Sequence, residues 1–425
     1  MKVLVVGSGG REHALIRSLK RSPKITELFC APGNAGIACD ATCLPVKATD
    51  VDAMVKCAKE NNIDFAVVAP DDPLVLGMVD KMESEGIPCF GPRANAAIIE
   101  GSKVFSKSLM KKYGIPTADY AVFDDLADAL NYIKSKGSYP AVVKADGLAL
   151  GKGVVIAQDE AEAADALHSI MEDKIFGASG NNVVVEEFLT GPEVSVLAFT
   201  DGKAIVPMVS SMDHKRALDG NQGLNTGGMG TIAPNPFYTD AVAAECMEKI
   251  FRPTVDAMCK EGRPFKGCLY FGLMLTPNGP KVIEYNCRFG DPETQVVLPL
   301  LDTDLFEIMQ AVSEERLGEL EVKWKKGAAS CVIVASGGYP QSYKKGYPIS
   351  GLNEGGQRED AEIFHAGTAF ADGSFTTAGG RVLGVTCIAE TLPKALEKSY
   401  AAVEKISFTD IHYRHDIGKT AVEQL

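Results

Sequence analysis

The sequence predicts an α/β and α+β chain in three parts: an N-terminal doubly wound parallel-sheet domain, a larger second α/β module, and a small β-rich C-terminal domain. Three observations predict it. Over residues 1–100 short apolar runs alternate with helical patterns, the signature of strand–helix–strand units in a parallel sheet. Between Ala141 and Asn286 strands flank glycine-rich polar loops, an arrangement that more often serves function than packing. From about Lys326 onward Gly- and Asp-rich β turns dominate, closed by a single helix. A length of 425 residues also exceeds one typical domain.

The totals narrow the classes of function. An apolar fraction of 46% is ample for buried cores, and the net charge is −13. The densest basic cluster is only Lys323, Lys325 and Lys326, which argues against a nucleic-acid or anionic-membrane surface. The apolar start Val3–Val6 is too short for a signal-peptide core, and no run approaches a membrane span. The 11 cysteines include no Cys-x-x-Cys pair, so reduced, mostly buried thiols in a cytoplasmic protein are expected.

In chain order, Val3–Val6 reads as a strand, Arg11–Lys20 as an amphipathic helix and Leu28–Cys30 as a strand. Then come helix Val51–Glu60, strand Phe65–Ala69, helix Leu74–Ser84 and strand Pro88–Phe90. The loop Gly7-Ser8-Gly9-Gly10-Arg11-Glu12-His13 fails the dinucleotide fingerprint, because Glu12 replaces its third glycine. Glycine amides at a helix start beside Arg11 still favour an anion, with a purely structural turn as the alternative. Asp71 and Asp72 end another strand at the same sheet edge, suited either to sugar hydroxyls or to helix capping.

A helical connector from Ala94 to Tyr113 carries Lys103 and Lys107 and stops at Gly114. The second module then reads as strand Ala141–Ala145, loop, strand Val154–Ala157, helix Glu160–Met171 and strand Val183–Glu187. The loop Lys144–Gly153 lacks the Ser or Thr of a Walker A motif. It fits a glycine-rich flap over phosphates, or equally a solvated hairpin. The run Val183–Glu187 into Gly191-Pro192 and back puts Glu193 at the head of a returning strand. Asp213-His214-Lys215-Arg216 and Asn225-Thr226-Gly227-Gly228 share one polar region without periodicity. Helix Asp240–Lys260 and the strand Gly267–Leu275 lead to strand Lys281–Asn286, and helix Asp304–Val312 ends the module.

In Lys281–Asn286 alternate side chains share a face, so Glu284 and Asn286 offer two hard oxygen donors side by side. A small divalent cation completed by phosphate and water needs little more; an ordinary polar-faced edge strand has the same pattern. Arg288, Gly290, Asp291 and Glu293 follow at once. The last part reads as strand Ala328–Ala335, turn Gly337–Pro340, strand Val385–Ala389 and helix Leu392–Ile406, with His412-Tyr413-Arg414-His415-Asp416 as a closing strand and turn. Little in it looks catalytic.

The order of these pieces resembles the ATP-grasp enzymes, which hold ATP between two α/β lobes. Four strings narrow the resemblance: Gly7–Ala14, Asp213–Arg216, Asn225–Gly230 and Asn286–Glu293. They are similar to those of glycinamide ribonucleotide synthetases, over residues 1 to about 420. One departure is Asp71 after Pro70, where that family usually has Glu. The resemblance implies domains at 1–102 (sugar phosphate), 103–325 (ATP-grasp, flap lobe about 118–192) and 326–425. It implies ligation of glycine to 5-phosphoribosylamine through a glycyl phosphate, with Mg²⁺ or Mn²⁺ on Glu284 and Asn286. Lys103 and Lys144, with Gly151 and Lys152 of the flap, would meet the ATP phosphates. Glu186, Glu187, Phe188 and Leu189 would hold adenine, and Glu193 the ribose. Arg288 would stabilise the transferring group. Asp213, Lys215, Arg216, Asn225, Thr226, Gly227, Gly228, Gly290 and Asp291 would orient glycine and the amine. Gly9, Gly10 and Arg11 would take the sugar phosphate, and Asp71 would contact the sugar. Partners would be these small molecules alone, without nucleic acid or membrane, and the protein a monomer. Two other readings stand beside it: another ATP-grasp ligase or carboxylase, and a nucleotide-binding regulator without turnover.

Overall fold

The computed structural model describes residues 1–148 and 153–425. The expected flap residues Gly151 and Lys152 lie outside that set. The N-terminal sheet is parallel with strand order β3-β2-β1-β4-β5. Its strands are β1 (Lys2–Gly7), β2 (Glu27–Pro32), β3 (Thr42–Cys43), β4 (Phe65–Val68) and β5 (Cys89–Phe90). Val3 to Val6 are fully buried, because helices cover both faces of a doubly wound sheet. The helix expected over Leu74–Ser84 is two, Asp71–Val75 and Met78–Ser84, divided at Gly77 with φ +84°. The connector is likewise two helices, Ala94–Gly101 and Lys103–Tyr113. Extended Ser102 separates them and caps the second by accepting the Phe105 amide at 3.1 Å.

A four-stranded antiparallel sheet follows, ordered β6-β9-β7-β8. It comprises β6 (Tyr120–Phe123), β7 (Ala141–Ala145), β8 (Val154–Ala157) and β9 (Val183–Glu187). Strand β6 and the helix Leu126–Lys136 were not expected from the sequence. This lobe has a core of its own, including Ile133, Val143, Leu167 and Val183.

Gly191-Pro192 does not fold the chain back on β9. The segment 188–192 instead crosses to a second sheet, ordered β11-β10-β16-β17. Its strands are β10 (Glu193–Thr200), β11 (Ile205–Pro207), β16 (Gly267–Thr276) and β17 (Gly279–Asn286). Strand β9 is paired on both sides, by β6 and β7, so Glu186 and Glu187 offer no free strand edge. That corrects the hairpin reading, and the reason is physical: which sheet a strand joins is decided by distant partners.

The last sheet is ordered β12-β15-β18-β22-β19, with β23 also on β18. Its strands β18 (Ala328–Ser336), β19 (Glu362–His365), β22 (Arg381–Ala389) and β23 (Ile411–His412) come from the C-terminal part, where β20 (Thr368–Ala371) and β21 (Ser374–Thr377) form a separate hairpin. Strands β12 (Met212–Asp213) and β15 (Gly230–Ala233) come from the middle of the chain. Between them rises a hairpin of β13 (Arg216–Leu218) and β14 (Gln222–Asn225). Among the described residues no helix is long and apolar enough to cross a membrane.

Candidate active site

The candidate site lies at the end of β17. The register of β16 against β17 shifts at Ile283, one extra residue between Gly272↔Glu284 and Leu273↔Val282. Beyond that bulge, half-buried Glu284 and Asn286 share the accessible face while Tyr285 is buried, as alternation predicts. Gly272 is what lets Glu284 stand there, since a Cβ on it would come 3.0 Å from the Glu284 Cγ.

Three lysines, Lys215, Lys144 and Lys103, act on Glu284, and a fourth, Lys107, stands beside Lys144 on Glu186. Lys215 Nζ is 3.3 Å from Glu284 Oε1. That ammonium, aided by Lys144 and Lys103, holds the Glu284 carboxyl down at about 2, and Glu284 in turn raises Lys215 well above its ordinary value. Lys144, on β7, donates to Glu186 at 3.0 Å and reaches the Ile283 carbonyl at 3.2 Å, linking the outer lobe to β17. Lys107 donates to Thr117 Oγ1 at 2.7 Å and pairs with the same Glu186 at 2.9 Å. Burial lowers Lys107 to about 8. Lys103 donates to the Gly147 carbonyl at 2.8 Å, and burial lowers it too. Other carboxylates share this field, Asp146 and Glu100 at Lys103, and Glu193 and Asp213 at Lys215, so triphosphate oxygens would meet the lysines and a divalent cation the carboxylates.

The Glu284 cavity is also lined by Glu193, Ser195, Asp213, Lys215 and Tyr270. Burial, reinforced by the nearby Glu293 carboxylate, pushes Asp213 well above the usual carboxylate range. Glu293 is buried and accepts from Ser195 Oγ at 3.3 Å. Against Asp213 lies Gly228, with φ +114°, where a Cβ would come 2.6 Å from the Asp213 Oδ1. The Gly227 carbonyl accepts from Arg381 at 2.8 Å, the Asp291 carbonyl at 2.8 Å, and the Asp291 carboxylate at 3.2 Å. Burial would raise Asp291, but Arg381 and Arg11 outweigh it and hold the carboxyl low. Thr226 Oγ1 donates to the Lys215 carbonyl at 2.8 Å and accepts the Gly228 amide at 2.9 Å, so Thr226 shapes the loop.

The first sheet brings its carboxyl edge to the same place. Arg288 pairs with Glu100 at 3.0 Å and lies 4.0 Å from Asp71. Burial would raise Asp71, and Arg288 with Arg11 more than offsets it. Gly10 packs on the other side of the turn; a Cβ there would come 2.7 Å from Gln295 Nε2.

Several expected roles need correction. The Gly9 amide is already donated to Glu12 at 2.5 Å, and Arg11 is tied to Glu12 at 2.6 Å and to the Phe289 carbonyl at 3.0 Å. Arg11 therefore stands inside a buried network rather than free beside an anion, because the helix start is capped by its own Glu12. The Glu186 carboxylate serves two lysines. Glu187 pairs outside with Lys281 at 2.8 Å. Only Phe188 and Leu189, on the crossing segment, leave the paired strand as the adenine reading requires. Arg216 points away, donating to the Gly223 carbonyl at 2.8 Å, since its neighbour Lys215 takes the inward position. Asn225 is exposed and pairs with Arg216 across the hairpin. Cys287 is fully buried and its thiol is pushed well up by burial, the state of an inert cysteine.

The sequence reading missed Glu100 and Arg381 and assigned nothing to Lys107 or Glu293. Lys107 carried a signal, four residues after Lys103 on one helix face. Glu100 and Arg381 act through contacts 187 and 90 residues away, which no local pattern shows. Among the described residues no three His, Cys, Asp or Glu side chains gather as a metal cage. A cation on Glu284 and Asn286 therefore needs ligand oxygens and water for the rest of its shell.

Comparison with known proteins adds independent findings. Residues 1–100 match the phosphoribosylglycinamide synthetase N domain, 101–294 its ATP-grasp (A) domain and 329–420 its C domain. A phosphoribosylamine–glycine ligase of Caldanaerobacter subterraneus subsp. tengcongensis is 49% identical over 418 residues, 98% of this chain and 99% of that one. The crystal structure of a Thermotoga maritima phosphoribosylamine–glycine ligase superposes with a TM-score of 0.87 at 35% identity, covering 98% of this chain and 100% of that chain. The biotin carboxylase domain of Hydrogenobacter thermophilus 2-oxoglutarate carboxylase, 17% identical, shares the fold at a TM-score of 0.74, over 97% of this chain and 91% of that one.

Proposed function

We infer the activity from one premise: this chain belongs to the phosphoribosylglycinamide synthetase family. It is an ATP-grasp ligase that joins glycine to 5-phosphoribosylamine in purine synthesis, giving glycinamide ribonucleotide, ADP and phosphate. The roles of individual residues are our own proposal. The observation that carries it is the meeting, in one cavity, of Glu284, held ionised by lysines, with the half-buried Asp213.

Glycine's carboxylate is a poor electrophile. Transfer of the ATP γ-phosphoryl group to a carboxylate oxygen gives glycyl phosphate and ADP. The amine nitrogen of phosphoribosylamine then forms the C–N bond, phosphate leaves and the nitrogen loses a proton. Such transfer asks for positioning and charge neutralisation more than for a covalent enzyme group. Lys103 and Lys144 supply that charge at the phosphates, with Lys107 and Glu186 holding Lys144 in place. Glu284 and Asn286 fit Mg²⁺ or Mn²⁺, hard donors on one face with Glu284 kept ionised; bound there, the cation neutralises phosphate charge. Phe188 and Leu189 border the adenine, and Glu193 reaches the ribose. Asp213, in the same cavity as Glu284, takes the amine's proton. Arg381, through Gly227 and Asp291, sets the floor on which glycine lies, and Arg288 with Asp71 and Glu100 faces the ribosyl group. The flap lobe covers the cleft and excludes the water that would hydrolyse an acyl phosphate. We keep a cytoplasmic monomer as the working assembly, which sedimentation of the purified protein checks.

The test is ADP release by purified protein with Mg²⁺ and ATP, adding glycine and freshly made phosphoribosylamine separately and together. Turnover that needs both supports the reading. Turnover with bicarbonate, or with another acid or amine, would overturn the substrate assignment.

A further inference from the structure

The hairpin β13–β14 grows directly from the substrate loop, yet it has almost no apolar anchorage. All of β14 is exposed, and the hairpin's large apolar side chains Leu218 and Leu224 are 48% and 50% exposed. A two-stranded hairpin of this size is marginal alone in water. What holds it is the C-terminal tail.

The tail reaches the hairpin along the edge of β18. Strand β15 pairs with β18 from Ala329 to Val332, and β23 takes up the same strand at Ala335 and Ser336. Past β23 the tail makes a series of polar contacts. His412 Nε2 donates to the Ala217 carbonyl at 2.8 Å. Arg414, only 1% exposed, splits its guanidinium three ways. Its Nε and one amino group hold Asp416 at 2.7 and 2.9 Å. The same amino group also donates to Asn221 Oδ1 at 3.0 Å, and the other donates to the Arg216 carbonyl at 3.1 Å. Asp416, so fixed, accepts the Gly220 amide at 2.8 Å. The Gly418 amide donates to His214 Nε2 at 3.0 Å.

Alternation explains why this matters to the site. In Asp213-His214-Lys215, the first and third residues line the Glu284 cavity, while His214 between them faces the tail. Fixing His214 and the Arg216 carbonyl therefore fixes, from behind, the two side chains that face the reactants. A rigid planar fork suits the task, because one guanidinium sets the angle between hairpin and tail.

We propose that residues 411–418 form a positioning strap for the substrate loop, and that Arg414 is a positioning residue acting through the hairpin on Lys215 and Asp213. The proposal rests on the reading that this loop receives glycine and phosphoribosylamine.

The test compares wild type with Arg414→Lys and the milder Asn221→Gly, which removes one acceptor at the exposed hairpin and, at φ +55°, adds no backbone strain. KM values for glycine, phosphoribosylamine and ATP are read alongside amide exchange over residues 216–228. In Arg414→Lys the glycine and phosphoribosylamine KM values should rise about tenfold while the ATP value stays within about twofold, with hairpin amides exchanging faster. Asn221→Gly should move the same parameters about threefold. Should Arg414→Lys fail to fold, Asn221→Gly decides by the same readouts. An equal fall in all parameters, or unchanged KM ratios with unchanged hairpin exchange, overturns the strap. Wild-type turnover with a different acid or amine would sink the ligase reading instead, and the exchange data would still report on the strap.

Discussion

At the residue scale, the chemistry turns on which charges are already balanced. Glu284 is held ionised mainly by Lys215, so it is available to a cation throughout the neutral range. Glu284→Ala removes the proposed metal donor and leaves Lys215 without its partner. Turnover should fall by about 10³-fold, measured as ADP release, with the fold retained by circular dichroism. Wild-type activity in that variant would remove Glu284 from the metal site. Arg381 makes a different case. It donates to two carbonyls and one carboxylate at once, a task that needs several donors in a plane. Arg381→Lys should therefore lower kcat/KM for glycine by about 10²-fold, nearly as far as Arg381→Ala. Recovery of most of the activity by lysine would mean that charge, not geometry, is what Arg381 supplies. Glu284 and Asn286 were legible in the sequence because alternation along a strand is a local rule. Arg381 was not, because its role is defined by the loop and turn it touches, 154 and 90 residues away.

At the scale of elements, legibility followed length and apolarity. The buried strands β1, β4, β7 and β9 are each built on three or four consecutive apolar residues, and each stands where the sequence put it. Strands β12 to β15 run two to four residues and are rich in polar and glycine positions, too short for any period to register. Their geometry depends on single residues instead. Gly228 combines φ +114° with the close approach to Asp213, so Gly228→Ala imposes backbone strain and displaces a reactive carboxyl together. The variant should lose about 1–3 kcal/mol of stability by denaturant titration, and its activity should fall further than its stability. Gly318→Ala is the control: the nearest atom would be the Ala204 Cβ at 3.6 Å, with no left-handed backbone, and its cost should stay within about 0.5 kcal/mol.

At the scale of the whole molecule, the cores divide unequally. One apolar cluster runs from the first sheet through β10 and β16 to β18, and within it Phe289 stacks on Phe90 and Phe199 at 5.9 and 6.1 Å. The flap lobe keeps a cluster to itself. Polar contacts of three neutral, buried histidines reinforce the larger body. His13 accepts the His365 amide at 2.8 Å on Nδ1 and bonds Asp40 at 3.1 Å through Nε2. His365 bonds the Gly356 carbonyl and Thr368 Oγ1, and His214 bonds the Gly230 carbonyl while accepting from Gly418. Protonating His13 or His214 destroys an acceptor that a backbone amide uses. Burial lowers all three, His214 and His365 to about 4. The sign follows from linkage: below an unfolded value near 6.5 the unfolded chain binds protons that the folded chain refuses, so stability falls as pH drops from about 6.5 toward 4. Between pH 7 and 5 each of His214 and His365 should cost about 2 kcal/mol. The Glu284 contribution has the same form at lower pH, present above about 4.5 and lost toward 2, so it does not enter that window. Denaturant titrations of wild type and His365→Gln at pH 7 and pH 5 check this. The variant should begin less stable and lose about 2 kcal/mol less over the interval, and equal slopes would mean that His365 carries no linked proton.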